Sequence, residues 1–156
     1  MVVTEIIEKA NQSLAKLLAA IESLPAETHS IPKAIGEWSI KDILAHLIAW
    51  EEEASKALDI WKIGVDPDWN HIKDIDEFNA QAVKERRKVA FPKIIEQLRL
   101  VHGGIIDKLK SISDSEFSKR GGVPRWLANL IIDHLDEHTE KIIAFKEKFE
   151  PEMNAE

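Results

Sequence analysis

GEWSIKDILAHLIAWEE, residues 36–52, contains both a helix start and the beginning of a long apolar stripe. Ser39 is a good N-cap, because its hydroxyl can accept a hydrogen bond from an otherwise orphaned first-turn amide. Asp42, three residues later, completes a capping-box-like pair. Ile43, Leu47, Trp50, Ala54, Leu58 and Trp61 then recur at spacings of three and four, which predicts an amphipathic helix running to Gly64. The same stretch puts His46 three residues after Ile43 and four before Trp50, on or beside the apolar stripe.

The same period extends on both sides. Ile7, Ala10, Leu14, Leu17, Leu18, Ile21 and Leu24 predict a first helix that ends before Pro25, and a connector with Pro25, Pro32 and Gly36 follows. After the second helix, GVDPDWNHIKD (residues 64–74) reads as a polar loop. A third helix starts near Asp74 to Asp76, with Phe78, Ala82 and Val83 on its apolar side. Pro92 lacks a donor and clashes with the preceding turn, so a break or kink is expected near Ala90. A further stretch runs through Ile95, Leu98, Val101, Ile105 and Leu109 to about Ile112. SDSEFSKRGG (residues 113–122) reads as loop with at most one short turn. A fourth helix begins at Pro124, continues through Leu127, Ile131, Ile142, Phe145 and Phe149, and is expected to stop at Pro151. No segment shows a period of two. The pattern predicts an all-α antiparallel four-helix bundle, one domain over residues 1–156. The long loops permit either adjacent or crossover connections.

Composition narrows the function. A chain of 156 residues buries roughly 70% of the surface it would expose unfolded, and so needs no staples. It has no cysteine, which excludes disulfides, thiolate ligands and a thiol nucleophile of its own. No apolar run approaches the roughly 18 residues of a membrane helix, and MVVTEIIEKANQ does not read as a signal peptide. The expected location is therefore the cytoplasm, with no membrane partner. The net charge of −7 repels phosphate, so nucleic acid is not expected as a partner. The one dense basic run, Lys84, Arg86, Arg87 and Lys88, reads as a solvated helix face.

DHLDEHTEK (residues 133–141) places His134 and His138 four apart, on one helix face and within the stripe 127, 131, 134, 138, 142, 145, 149. Polar groups placed there must be satisfied, since an unpaired buried one costs roughly 1–3 kcal/mol. Three imidazoles, His46, His134 and His138, on two inward-facing stripes suit a divalent ion such as zinc, nickel or iron. Such a site would keep positions open for water or substrate. Asp42, Glu53, Asp133 and Glu137 are the acids near enough in sequence to orient a ligand imidazole. His29 and His71 fall in loops and read as solvated. His102 lies near the stripe of the third helix and reads as structural. Trp38, Trp50, Trp61 and Trp69 gather around the second helix, as pocket walls or as core.

These motifs resemble a known family. GEWSIKDILAHLIAWEE is similar to the second helix of the DinB superfamily in its tryptophan, its capping serine, the aspartate three on, and the alanine-histidine-leucine that follows. DHLDEHTEKI (residues 133–142) resembles the family's closing helix. IDEFNAQAVKERR (residues 75–87) is similar to the opening of helix three, above all in the branch that includes the ClbS and DfsB proteins. The resemblance implies an up-down-down-up bundle, often a homodimer, in which His46, His134 and His138 bind a divalent metal, commonly zinc or nickel. It implies hydrolysis, or transfer of a low-molecular-weight thiol to an electrophilic small-molecule substrate, with the metal activating water or thiol. The ClbS-like branch instead implies metal-independent opening of a reactive ring, with Trp50, Asn79 or His102 as contacts. A third reading is a non-enzymatic helical binding module with its histidines in neutral hydrogen bonds.

Overall fold

The computed structural model describes the backbone of residues 2–154 and the side chains of residues 2–149. The helices are α1 (Val3–Glu22), α2 (Ile40–Lys62), α3 (Ile75–Arg86), α4 (Phe91–Lys110) and α5 (Asp114–Ser118). The closing helix is made of α6 (Arg125–Ala128), a π-helical turn (Asn129–Asp133) and α7 (His134–Asn154). No strand forms among the described residues; the Ile35–Trp38 bridge in the first connector is isolated.

Local chemistry accounts for the boundaries. The Ser39 hydroxyl accepts from the Asp42 amide (3.0 Å) and the Asp42 carboxylate accepts from the Ser39 amide (3.1 Å), so the expected capping box is formed. After Lys62, Gly64 takes φ +92°, a left-handed backbone that ends the helix and that a side chain would strain. The break near Ala90 is complete. Ala90 is extended, and Pro92 sits in the first turn of α4, where a missing amide leaves no helical bond unmade.

One sequence expectation is refined and one corrected. The short turn expected within residues 113–122 is the five-residue α5, because Ser113 and Glu116 form a second capping box and Phe117 stacks on Trp61 with ring centroids 4.8 Å apart. Pro151 does not end the closing helix, which runs to Asn154; a proline in the last turn removes one bond without breaking what lies before it.

Contacts at the two ends fix the topology. The Val3 amide donates to Asp114 (2.7 Å) and the His29 ring stacks on Phe91 (4.2 Å), so α1 and α4 run in opposite directions. The Lys41 amide donates to the His29 carbonyl (3.0 Å) and Lys62 Nζ donates to Ser111 Oγ (2.8 Å), so α2 runs alongside α4 in the same direction. Leu127 and Ile131 pack with Val3 and Ile6, while Leu135 and Ile142 pack with Leu17 and Ile21, so the closing helix follows α1. The order is up-down-down-up. α2 packs chiefly on α4 and α1 on α7, and α3 lies against α2. No described helix is long and apolar enough to cross a membrane.

One polar pair crosses this core. Glu51 of α2 is 0% exposed and His102 of α4 is 1% exposed, and His102 Nδ1 lies 2.6 Å from Glu51 Oε1. Burial pushes the Glu51 carboxyl above its ordinary value, and the His102 hydrogen bond opposes that shift. Urea unfolding should separate local from tertiary contributions. Ser39→Ala is expected to cost about 1 kcal/mol through the lost cap. His102→Ala is expected to cost about 3–5 kcal/mol, because Glu51 is left buried without its partner. A His102→Ala cost no larger than that of Ser39→Ala would show that the pair does not brace α2 against α4.

Candidate metal centre

α2 carries His46 inward, and the closing helix brings His134 and His138 to meet it. Ring centroids are 4.6 Å apart for His46–His134, 5.1 Å for His46–His138 and 4.9 Å for His134–His138. One nitrogen from each ring lies within 4.8 Å of the other two. His46 and His138 are each 6% exposed and His134 is half-buried. The stripe read from sequence therefore converges as expected.

The π-helical turn just before His134 was not legible from spacing. It widens the helix so that Ile131 and Ile132 are both buried while Asn129 and Asp133 line the pocket beside the histidines. That pocket has a volume of about 470 Å³ and reaches His46, Trp50, Asn79, His134 and Glu137.

Hydrogen bonding decides which nitrogen faces which. The Trp50 indole N–H, which can only donate, points at Asn79 Oδ1 (2.8 Å), so that oxygen is the acceptor end of the amide. The same oxygen lies 2.9 Å from His46 Nδ1, which must then carry the proton. His46 Nε2 is left with a lone pair, 2.7 Å from His134 Nε2. His134 Nδ1 and His138 Nδ1 are buried and have no hydrogen-bond partner among the described residues.

Burial first, then the neighbouring imidazoles, push His46 from 6.5 down to about 3. Burial, His134 and Lys141 do the same to His138, also down to about 3. Burial also lowers His134, with Glu137 opposing. All three are therefore neutral at pH 7 and offer lone pairs, as a metal ligand must.

The donor set fits a borderline divalent ion. With metal–nitrogen bonds of roughly 2.1 Å, ligand nitrogens stand about 3–3.5 Å apart, and the nitrogens here lie within 4.8 Å of one another. The Asn79 amide fixes the His46 tautomer from behind.

None of the acids expected in that orienting role fills it. Asp42 caps α2 and Glu53 holds His71 (2.8 Å), while Asp133 and Glu137 line the pocket itself. The orienting group is instead Asn79, an amide on α3 that is remote in sequence from the histidine it holds. His71 is exposed as expected, though it also meets Glu53, whereas His29 is half-buried and stacks on Phe91. His102 stands apart from the triad, with Glu51.

Known structures share this fold. An uncharacterised protein from Escherichia coli UTI89 superposes with a TM-score of 0.79 at 13% identity, over 96% of this chain and 95% of that one. The colibactin self-resistance protein ClbS, solved in complex with a dsDNA, superposes with a TM-score of 0.76 at 12% identity, over 93% of this chain and 95% of that one. The family model of the DinB superfamily matches residues 10–142, a span that includes all three histidines. No curated protein matches the chain at a significant level.

The ClbS complex corrects one expectation. A net charge of −7 does not exclude nucleic acid as a partner, because ClbS, a protein of this fold, was solved in complex with a dsDNA. Net charge sums the whole surface, whereas phosphate binding depends on where cations gather. Here Lys33, Lys41 and Arg87 share one surface cleft with Glu37 and Asp42, while Arg86 of the basic run is turned into ion pairs with Glu52 and Glu85.

The depressed imidazole pKa values predict a pH dependence. Below pH 6.5 the unfolded chain takes up protons that folded His46 and His138 refuse until about pH 3. Stability of the metal-free protein should therefore fall on acidification through that window, by roughly 1 kcal/mol per pH unit for each such histidine. Urea midpoints between pH 7 and pH 5 should drop less steeply in His138→Ala than in the native chain. Equal slopes would contradict the assignment of neutral, buried imidazoles.

Proposed function

The chain belongs to the DinB superfamily, and from that footing we propose that it is a metal-dependent enzyme acting on an electrophilic small molecule. His46, His134 and His138 would hold one divalent ion, with zinc and nickel best suited and iron also accepted by such ligands. The observation that carries this reading is three neutral imidazoles from two helices converging beside an open pocket.

When bound, the ion would supply Lewis acidity, bringing water or a thiol to its nucleophilic form near neutral pH. The chain has no cysteine, so a thiol would enter as a low-molecular-weight cosubstrate. The reaction would then be hydrolysis or thiol transfer. The remaining work falls to named side chains. Asn79 holds the proton on His46 Nδ1, and Trp38 packs on the His46 ring at 4.7 Å, which limits its rotation. Lys141 pairs with Glu137 at 3.3 Å, which leaves Asp133 as the carboxylate that accepts the proton released by the nucleophile.

A second reading keeps the pocket and omits the metal. It is favoured by the direct 2.7 Å contact between His46 Nε2 and His134 Nε2, which lets the two rings share a proton and act as an acid–base pair. Under it the protein would resemble the self-resistance protein ClbS in role as well as in fold, with duplex DNA among the partners to be assayed.

Metal analysis of protein purified without tag or chelator separates the two. Near-stoichiometric zinc or nickel, lost in His138→Ala with helix content retained, is the expected result. Asn79→Leu should keep the site but weaken metal affinity about 10- to 100-fold, the usual effect of losing an orienting partner. Full occupancy in His138→Ala, or no uptake by the native protein on titration with several divalent ions, would sink the first reading and favour the second.

A further inference from the structure

The triad pocket does not end at the histidines. A second cavity of about 370 Å³ adjoins it and shares Trp50, Ile75, Asn129 and Leu130 with it. Its remaining wall is Trp69 and Ile72 from the loop after α2, and Trp126 from α6. The two halves differ in character. The first sets imidazoles, two amides and carboxylates among its apolar walls. The second is walled almost entirely by indole rings and aliphatic chains.

We infer that this second cavity receives the apolar, ring-bearing part of the substrate, whose reactive end lies at the triad. The inference rests on the triad pocket being the reaction site, and names the substrate class for it: a hydrophobic electrophile with an aromatic or alicyclic ring.

Three observations carry the inference. First, the tryptophans are not core filling. Trp61 fills the core and is 4% exposed, whereas Trp69 belongs to neither apolar cluster and Trp126 only flanks one. Trp69 and Trp126 meet edge to face at 5.8 Å around an open space, and Ile75 at its rim is 60% exposed. Apolar surface left in this state gains when a ligand covers it.

Second, the wall is held in place. The loop is tied on either side of Trp69, by Asp66 to Arg120 (3.0 Å) and by His71, next to Ile72, to Glu53 (2.8 Å). Arg120 is itself held over the Trp61 ring, 4.0 Å from its centroid. A ligand would not have to order the loop on binding.

Third, the halves are linked through one side chain. Trp50 walls both cavities and donates to Asn79, the residue that orients His46. A ring in the second cavity thus lies against the same indole that helps fix the triad.

The test uses 2-naphthol as a neutral ring probe and reads the indole N–H resonances of the five tryptophans by NMR. Saturable shifts confined to Trp50, Trp69 and Trp126, with Trp38 and Trp61 unmoved, are expected. Trp69→Ala and Trp126→Ala should each raise the dissociation constant at least fivefold, with the unmoved Trp38 and Trp61 peaks reporting an intact fold. Absence of saturable shifts in the native protein, or shifts centred on Trp38 or Trp61, would overturn the inference without reference to any variant. Zinc titration followed at the histidine ring nitrogens is read separately. Naphthol binding without zinc binding would retain the ring subsite and reject the metal reading, and zinc binding without naphthol binding would do the reverse.

Discussion

Three imidazoles share one largely buried space between α2 and the closing helix, and much of the structure follows from keeping them there. Buried and close together, they cannot all be charged, so burial and mutual repulsion hold them neutral. Neutral imidazole is half donor and half acceptor, and its orientation has to be set from outside. Asn79 does this for His46, and Trp50 in turn fixes the Asn79 amide. The chain from indole to amide to imidazole runs from α2 to α3 and back. This gives the otherwise weakly apolar α3, with Ala82 and Val83 as its buried residues, a reason to dock where it does.

The bundle and its additions divide the labour. α1, α2, α4 and the closing helix supply rigid positions, and their apolar stripes pack into two clusters with the histidines at their inner faces. Most of what shapes the pocket comes from elsewhere. α3 contributes Asn79 and Ile75, the loop after α2 contributes Trp69 and Ile72, and the π-helical turn swings Asn129 and Asp133 toward the opening. Substrate range can therefore change through these parts without disturbing the helices that hold the triad.

The legibility of the sequence follows the same division. The capping box at Ser39, the stripe from Ile43 to Trp61 and the four-residue interval between His134 and His138 are repetitive, local signals, and each led to a correct placement. The orienting role of Asn79, expected only as a pocket contact, and the π-helical turn were illegible for different reasons. Asn79 matters only through two partners 29 and 33 residues away, a relation with no local signature. The π-helical turn adds a residue within a continuous helix, and the buried positions on either side keep ordinary spacing. The short α5 did carry a readable signal, since Ser113 and Glu116 match the capping pattern already used for α2; its brevity and flanking glycines masked it. Whole-chain charge failed for a separate reason, because a sum contains no information about position.

Histidine identity alone did not separate structure from chemistry, and the contrast with His102 shows what does. His102 is the most deeply buried histidine that the core contains, and it meets a carboxylate at 2.6 Å inside a closed interface. A partner of opposite character fixes its Nδ1 and ties α2 to α4, while its Nε2 is buried without a partner among the described residues. The triad has the reverse arrangement. Its members meet one another, an amide orients His46 alone, and the carboxylates near them line the open pocket. Such an arrangement leaves basic lone pairs unspent beside a cavity, and the fold tolerates it only because burial keeps the rings neutral. What distinguishes a reactive cluster from a structural pair in this protein is thus the kind of partner and the access to space, and both depend on which helix faces which.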